Sequence, residues 1–296
     1  MFEKGVYTVL VTPYENNKIS YNCLDNLVEK QINKGIEGII TLGTTSESPT
    51  ISMEEKKILV QYLWDKYNDS INIIVGIGGN DTNATIEFGQ FCSDYCHGMM
   101  ITVPNYNKPS QEGIFSHFST IANSDKIINK PLMLYNIPSR CGVNMEAETI
   151  IALYQLCDNI VAIKEASGSI EQSIKLKQNC NINIFSGDDA LVIPLMSIGA
   201  VGVISVTSNL IPDYIVEIVN LCNNNNFNSA REKYFKIHDL VKSLFIETNP
   251  IPLKYLLYKK DVIKSEEVRL PLTKITNPEN IYLLDKKVKI ISDLNI

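Results

Sequence analysis

The sequence predicts an α/β protein folded as a (β/α)8 barrel with a C-terminal helical extension. Three observations lead there. Short β-rich runs recur every 25–35 residues, eight in all. A helical pattern fills nearly every gap between them. No Gly-rich phosphate turn follows the first run, where VTPYENN stands instead, which argues against a doubly wound open sheet.

The eight runs are VYTVLVT (6–12), EGIITLG (37–43), INIIVGIG (71–78), GMMITVP (98–104), PLMLYNI (131–137), IVAIKEA (160–166), NINIFSG (181–187) and VGVISV (201–206). Between the first two, Leu24, Leu27, Val28 and Ile32 fall at helix spacing, with Gly35 as a stop. Ser52-x-x-Glu55 reads as a capping box, and Ile58, Leu59, Tyr62 and Leu63 follow as the expected buried stripe. Ile114, Phe115, Phe118 and Ile121 repeat the pattern, as do Ile150, Ile151, Leu153 and Leu156. Strands alternating with helices imply βαβ units and a parallel sheet. Eight units in about 220 residues suit a TIM barrel, typically ~250 residues long.

From about residue 210 the pattern turns helical, with stripes through 228–246 and 251–260 and a last helix around Asn280–Ser292. The expected division is 1–225 for the barrel and 226–296 for a helical region packed on it. No Gly/Ser-rich or Pro-rich linker marks that boundary.

Of 296 residues, 45% are apolar and 20% charged, an ordinary globular balance. The net charge of −6, from 27 basic and 33 acidic residues, disfavours nucleic acid or an anionic membrane as partner. No run approaches the 18 or more apolar residues of a membrane span. MFEKGVYTVLVTP carries Glu3 and does not read as a signal peptide. Seven scattered cysteines suit reduced thiols, so a cytoplasmic location is expected. Cys92-x3-Cys96-His97 is the nearest approach to a metal pattern, and no second cluster completes it. No metal and no organic cofactor is expected.

Barrels of this kind gather their active sites at the carboxyl ends of the strands. Those ends carry Thr44 and Thr45, Tyr106, Tyr135 and Arg140, Lys164, and the pair Asp188 and Asp189. Lys164 stands out, because it interrupts an apolar, β-favouring run and burying an ammonium is expensive. Alternation places Ala162, Lys164 and Ala166 on one strand face, with Tyr135 expected beside Lys164 on the adjacent strand. Desolvation disfavours the charged amine, and a neutral lysine is a nucleophile that forms Schiff bases with carbonyls. His97, His117 and His238 lie in helical contexts, so a tyrosine–threonine hydroxyl relay is the better proton shuttle. Position alone also admits a snorkelling or salt-bridged Lys164, Thr44 and Thr45 as turn caps, Tyr135 as core, and Arg140 as a surface charge.

GTTSES, PNYNKPSQEG, LYNIPSRCG, IKEASG and GAVGVISV, in that order along the chain, resemble the dihydrodipicolinate synthase family of pyruvate-dependent class I aldolases. IKEASG and YNIPSR together are specific; GTT alone is weak. The resemblance implies an imine between Lys164 and pyruvate, with Tyr135 as general acid/base. It implies that Thr45 links Tyr135 to Tyr106, and that Tyr106 reaches a neighbouring subunit's site. Thr44 and Thr45 would hold the pyruvate carboxylate and Arg140 that of aspartate 4-semialdehyde, while Gly187 and Ile204 line the pocket through backbone groups. The implied reaction condenses the two substrates to 4-hydroxy-tetrahydrodipicolinate in diaminopimelate and lysine biosynthesis. The implied assembly is a homotetramer, a dimer of dimers.

Two departures stand out. Ser46 replaces the glycine of GTTGE, and Cys141 replaces the threonine of SRTG, where alkylation is expected to slow the enzyme. Against the pattern of lysine-inhibited relatives, Ser48 and Asn80 match. Met53, Lys56, Ala84 and Asn105 do not, so weak or absent lysine inhibition is expected. The rival readings are another lysine-imine aldolase, such as N-acetylneuraminate lyase or a keto-sugar-acid aldolase, and a catalytically dead barrel used for binding.

Overall fold

The computed structural model describes residues 2–293. Met1 and residues 294–296, which close the two expected regions at either end, lie outside the described residues. The chain forms β1 (Gly5–Val9), β2 (Tyr14–Glu15), β3 (Lys18–Ile19), β4 (Gly38–Thr41), β5 (Asn72–Gly76), β6 (Gly98–Thr102), β7 (Leu132–Asn136), β8 (Ile160–Glu165), β9 (Asn183–Ser186) and β10 (Gly202–Ser205). Eight of them close into a barrel in the order β1-β10-β9-β8-β7-β6-β5-β4. All eight expected runs are barrel strands, each a little shorter than its apolar stretch. β2 and β3 form a separate antiparallel hairpin.

The described residues pack as two compact units. One runs from Lys57 to Ile204 with the first residues of the chain. The other joins Gly5–Lys56 to the chain from Ser205 onward.

In the first unit, β5 to β10 pair in parallel. Their strands bury nearly every residue, as expected when helices cover the outer face and side chains fill the inside. The register sets Tyr135 opposite Lys164, and Lys164 opposite Phe185. The helix Gln111–Ala122 buries Ile114, Phe118 and Ile121 as expected, with Phe115 half-buried. In Ala147–Leu156, Ile150 and Leu153 are buried but Leu156 is 56% exposed. It is the last residue of the helix.

In the second unit, β1 pairs in parallel with β4 through Thr8 and Ile39. Helix Tyr21–Asn33 buries Cys23, Leu24, Leu27, Val28 and Gln31. Burying each such leucine or valine stabilises by about 1.5–3 kcal/mol. The Ser52/Glu55 capping box is reciprocal: Ser52 N donates to Glu55 Oε2 at 3.0 Å and Glu55 N to Ser52 Oγ at 3.2 Å. The helix it opens, Met53–Tyr67, buries Leu59, Val60, Leu63 and Tyr67, whereas Ile58 is 50% exposed and Tyr62 half-buried. The apolar face is rotated by one residue from the expected stripe, because Val60 takes the inner position. The helices Phe227–Ser243, Ile251–Lys259 and Pro278–Asp293 occupy the stretch expected to be helical and belong to the same unit as β1 and β4. Among the described residues no helix is long and apolar enough to cross a membrane.

Candidate active site

Lys164 is the penultimate residue of β8, and Tyr135 the penultimate residue of β7. Their pairing puts both side chains on one face, so Lys164 Nζ lies 4.2 Å from the centroid of the Tyr135 ring. Both side chains are buried, Lys164 to 5% exposure. Burial is the main force on the amine and pulls its pKa from the ordinary lysine value down to about 7. The Asp189 carboxylate works against that fall, and the Arg140 guanidinium adds to it. Near neutral pH a large fraction of this amine carries a free lone pair.

The floor beside the lysine is glycine by necessity. Gly187 follows β9 directly, and its N–H donates to Glu165 O at 2.7 Å. A Cβ there would stand 2.7 Å from Ala166 Cβ and 3.0 Å from Lys164 Cγ. Ile204 is buried on β10. Asp188 caps the short turn after β9 by accepting from Ala190 N at 2.8 Å, and Asp189 is buried. Arg140 lies on the single-turn helix Pro138–Cys141 just past β7 and is exposed. Tyr106, in the loop after β6, is 87% exposed and held at φ 62°.

Cys141 is buried, and its Sγ donates to Val103 O at 3.1 Å. Burial pushes its thiol up to about 11. The thiolate is the reactive form, so burial slows attack on this thiol by an alkylating reagent.

Behind the lysine runs a polar cluster that sequence reasoning missed. Glu165 accepts from Ser167 N at 2.7 Å, Gln172 Nε2 at 2.9 Å and Asn136 Nδ2 at 3.3 Å. Asn136 Nδ2 also donates to Asn144 Oδ1 at 2.8 Å, and Asn144 Nδ2 to Gln172 Oε1 at 2.9 Å. Asn136 and Glu165 follow Tyr135 and Lys164 by one position, so they occupy the opposite face of the same two strands. The available signal was the charged residue immediately after the lysine.

The second unit carries the threonines. Thr44 is half-buried and Thr45 buried, in the turn that follows β4. Leu42 at φ 57° and Glu47 at φ 58° flank them, which non-glycine residues adopt only when the surroundings hold them. Ser46 does tie this turn down: its Oγ donates to Leu10 O at 2.7 Å, and Thr12 Oγ1 donates to Ser46 O at 2.9 Å. Asn249 Nδ2 donates to Thr45 Oγ1 at 2.8 Å. Glu47 Oε1 lies 2.5 Å from Lys254 Nζ, and Glu47 Oε2 accepts from Arg269 N at 2.9 Å.

Two of the three histidines, His97 and His117, hydrogen-bond within the fold. His97 Nδ1 accepts from Ile73 N at 3.0 Å, His117 Nδ1 meets Thr82 Oγ1 at 2.9 Å, and His238 is exposed beside Tyr234. Burial raises Cys96 to about 12. Among the described residues no group of three or more His, Cys, Asp or Glu is placed to hold a metal ion.

A strand-end lysine beside a tyrosine in an eight-stranded barrel narrows the chemistry, and comparison with known proteins fixes the family. The model of the dihydrodipicolinate synthetase family matches residues 2–290. The chain belongs to the dihydrodipicolinate synthetase family. Within it, the 4-hydroxy-tetrahydrodipicolinate synthase of Endomicrobium trichonymphae is 40% identical over 281 residues, covering 94% of this chain and 95% of that protein. The synthase of Methanocaldococcus jannaschii is 39% identical over 287 residues, covering 97% and 98%. Among solved structures, the synthase from the thermoacidophilic methanotroph Methylacidiphilum fumariolicum SolV superposes with a TM-score of 0.94 at 39% identity, covering 98% of this chain and 96% of that one.

Proposed function

We propose that this protein is a 4-hydroxy-tetrahydrodipicolinate synthase, condensing pyruvate with aspartate 4-semialdehyde. The observation that carries the reading is the buried Lys164 amine, lowered to about 7 and set over the Tyr135 ring, in a chain whose relatives at about 40% identity bear that name.

The neutral Nζ of Lys164 attacks the keto carbon of pyruvate, and loss of water leaves a protonated imine. That imine is an electron sink, so the pyruvate methyl group loses a proton and becomes an enamine carbon. The enamine attacks the aldehyde carbon, forming the new C–C bond. The substrate's own amine then displaces Lys164 as the ring closes, returning the free enzyme. Tyr135 moves the protons, and Thr45 connects its phenol to Tyr106. Backbone groups at Thr44 and Thr45 hold the pyruvate carboxylate. Arg140, exposed past β7, binds the carboxylate of the incoming aldehyde as a guanidinium fork. Gly187 and Ile204 line the pocket with backbone groups.

The working assembly in this reading is a homotetramer in the cytoplasm. Tyr106, 87% exposed in a single chain, then reaches a second subunit's site. The chain from 226 serves as a helical region added to the barrel of 1–225.

Turnover with different aldehydes separates this reading from a keto-sugar-acid aldolase. Aspartate 4-semialdehyde is the preferred acceptor, and Arg140→Ala raises its KM more than that of pyruvate. Preference for a polyol aldehyde, with Arg140→Ala neutral, contradicts the proposal.

A further inference from the structure

β7 ends at Asn136, and the chain leaves it for a short excursion that returns at Asn144 and Met145. Arg140 lies midway along the excursion. Ser139 and Arg140 are exposed, whereas Asn136, Cys141 and Met145 are buried. The excursion is stiff within itself. Cys141 N donates to Ile137 O at 3.0 Å and Gly142 N to Pro138 O at 2.8 Å, closing the single turn Pro138–Cys141. A stiff loop points where its base points. Its inner side is tied to Val103 O by the Cys141 thiol, and a thiol is a weak donor.

The stronger bonds are at the base, and the Asn136 side chain makes them. Its Oδ1 accepts from Met145 N at 3.0 Å. One hydrogen of Nδ2 goes to Asn144 Oδ1 at 2.8 Å, and the other faces the Glu165 carboxylate at 3.3 Å. Glu165 is itself gripped by Ser167 N and Gln172 Nε2, and Gln172 Nε2 also donates to Met145 O at 3.2 Å. This clasp needs one acceptor and two donors on a short side chain, a set that asparagine has and aspartate and alanine lack. The main chain of Asn136 pairs separately, its O accepting from Ala166 N at 2.9 Å. Strand pairing beside Lys164 therefore survives loss of the amide, and the footing of the loop does not.

We infer that Asn136 is a positioning residue for the acceptor aldehyde: its amide clasps the two feet of the 137–143 loop and so sets where Arg140 presents its guanidinium. This rests on the reading of Arg140 as the group that binds the carboxylate of aspartate 4-semialdehyde. Asn136 acts through Arg140, so its loss weakens capture of the aldehyde and leaves pyruvate capture on Lys164 in place.

The test is a double-mutant cycle with Asn136→Ala, Arg140→Ala and both together, on the full-length enzyme. The readouts are kcat/KM for each substrate, borohydride trapping of pyruvate on Lys164, and the thermal midpoint. Asn136→Ala is expected to lower kcat/KM for aspartate 4-semialdehyde about 10- to 100-fold, the cost of a misplaced binding group, with kcat/KM for pyruvate changed less than about threefold and the trapped adduct still formed. In the Arg140→Ala background, Asn136→Ala should lower the aldehyde value no further, since the group it positions is gone. Asn144→Ala opens the same clasp from the loop side without altering a strand residue, and should give a smaller loss on the aldehyde alone.

Four results overturn the inference. If the Asn136 and Arg140 substitutions multiply in kcat/KM for the aldehyde, Asn136 does not act through Arg140. If Asn136→Ala lowers the thermal midpoint and weakens pyruvate trapping and both kcat/KM values together, its role is structural. If folded Asn144→Ala protein handles the aldehyde as the wild type does, the clasp does not set the loop. If Arg140→Ala alone leaves kcat/KM for the aldehyde unchanged, the reading of Arg140 fails and the inference falls with it; the first three results leave that reading standing.

Discussion

Lys164 and Lys254 are both buried lysines, and each Nζ lies 4.2 Å from the centroid of a tyrosine ring, Tyr135 for one and Tyr14 for the other. Their surroundings diverge from there. Lys254 has a carboxylate in contact, Glu47 at 2.5 Å, and a main-chain carbonyl, Glu267 O, at 2.8 Å. The same knot includes Arg269, whose guanidinium stacks 4.4 Å from the Tyr14 centroid and grips Glu55 with two bonds of 2.8 and 2.6 Å. That grip, with the Ser52 cap, holds the Glu55 carboxyl down to about 2. Burial lowers Lys254 too, but the Glu47 carboxylate opposes it. Lys164 feels Asp189 and Arg140 with opposite signs, so desolvation decides its state. Lys254 is buried in contact with its counter-charge, and its amine falls to about 8; Lys164 is buried under opposing charges, and its amine falls further, to about 7.

The comparison breaks first at activity. Lys164→Ala should lower product formation from pyruvate and aspartate 4-semialdehyde by roughly 10⁴-fold or more, as removal of a covalent nucleophile does. Circular dichroism and the thermal midpoint should show an intact fold. Substantial residual turnover would move the chemistry elsewhere.

Lys254→Met should invert that outcome. It strands the buried Glu47 charge, which costs about 3–5 kcal/mol, measurable as a lower denaturant midpoint. Folded Lys254→Met protein should still take up pyruvate on Lys164. Unchanged stability would show that the pair is not architectural.

A pH series sharpens the contrast. Lys164 falls from 10.5 to about 7 on folding, so between those values the unfolded chain binds the proton and the folded chain does not. Stability therefore rises with pH across that window. Below about 7 both states are protonated, and the cost of burying the charge is fully present. Lys164→Met should remove that slope and stabilise the protein near pH 7 by up to about 4 kcal/mol. Parallel stability curves for the two proteins would contradict the lowered amine.

Gly187→Ala probes the space around the amine. The added methyl meets Ala166 Cβ at 2.7 Å and Lys164 Cγ at 3.0 Å. Overpacking of this kind costs about 1–3 kcal/mol, and displacement of the lysine should slow turnover up to about 100-fold. The equivalent change at Gly35, where a Cβ meets nothing within 4 Å but φ is 74°, should cost stability through backbone strain while leaving activity unchanged.

Lys164 was legible in the sequence because a lysine inside a β-rich apolar run breaks a local rule. Its pairing with Tyr135 followed from strand alternation. Lys254 was not legible: a lysine in a helix reads as a solvated face, and its contacts with Glu47 and Tyr14, more than 200 positions away, are set by tertiary approach. Asn249 and Asn136 escaped for the same reason, since an amide's partners are set by tertiary approach. The β2–β3 hairpin carried a signal that was passed over. Asn16 and Asn17, at φ 52° and 61°, are the residue type that tolerates the left-handed pair in a tight hairpin. Ile58 and Leu156 show the reverse error, because apolar spacing marks a stripe only to within a residue and does not say how far burial extends toward a helix end.

The most direct measurement is mass spectrometry of peptides after pyruvate and borohydride treatment of the wild-type enzyme. The account predicts one reduced pyruvyl adduct, on Lys164, forming faster as pH rises toward about 7 and levelling above it, with Lys254 unmodified. An adduct on any other lysine, or none at all, would contradict it.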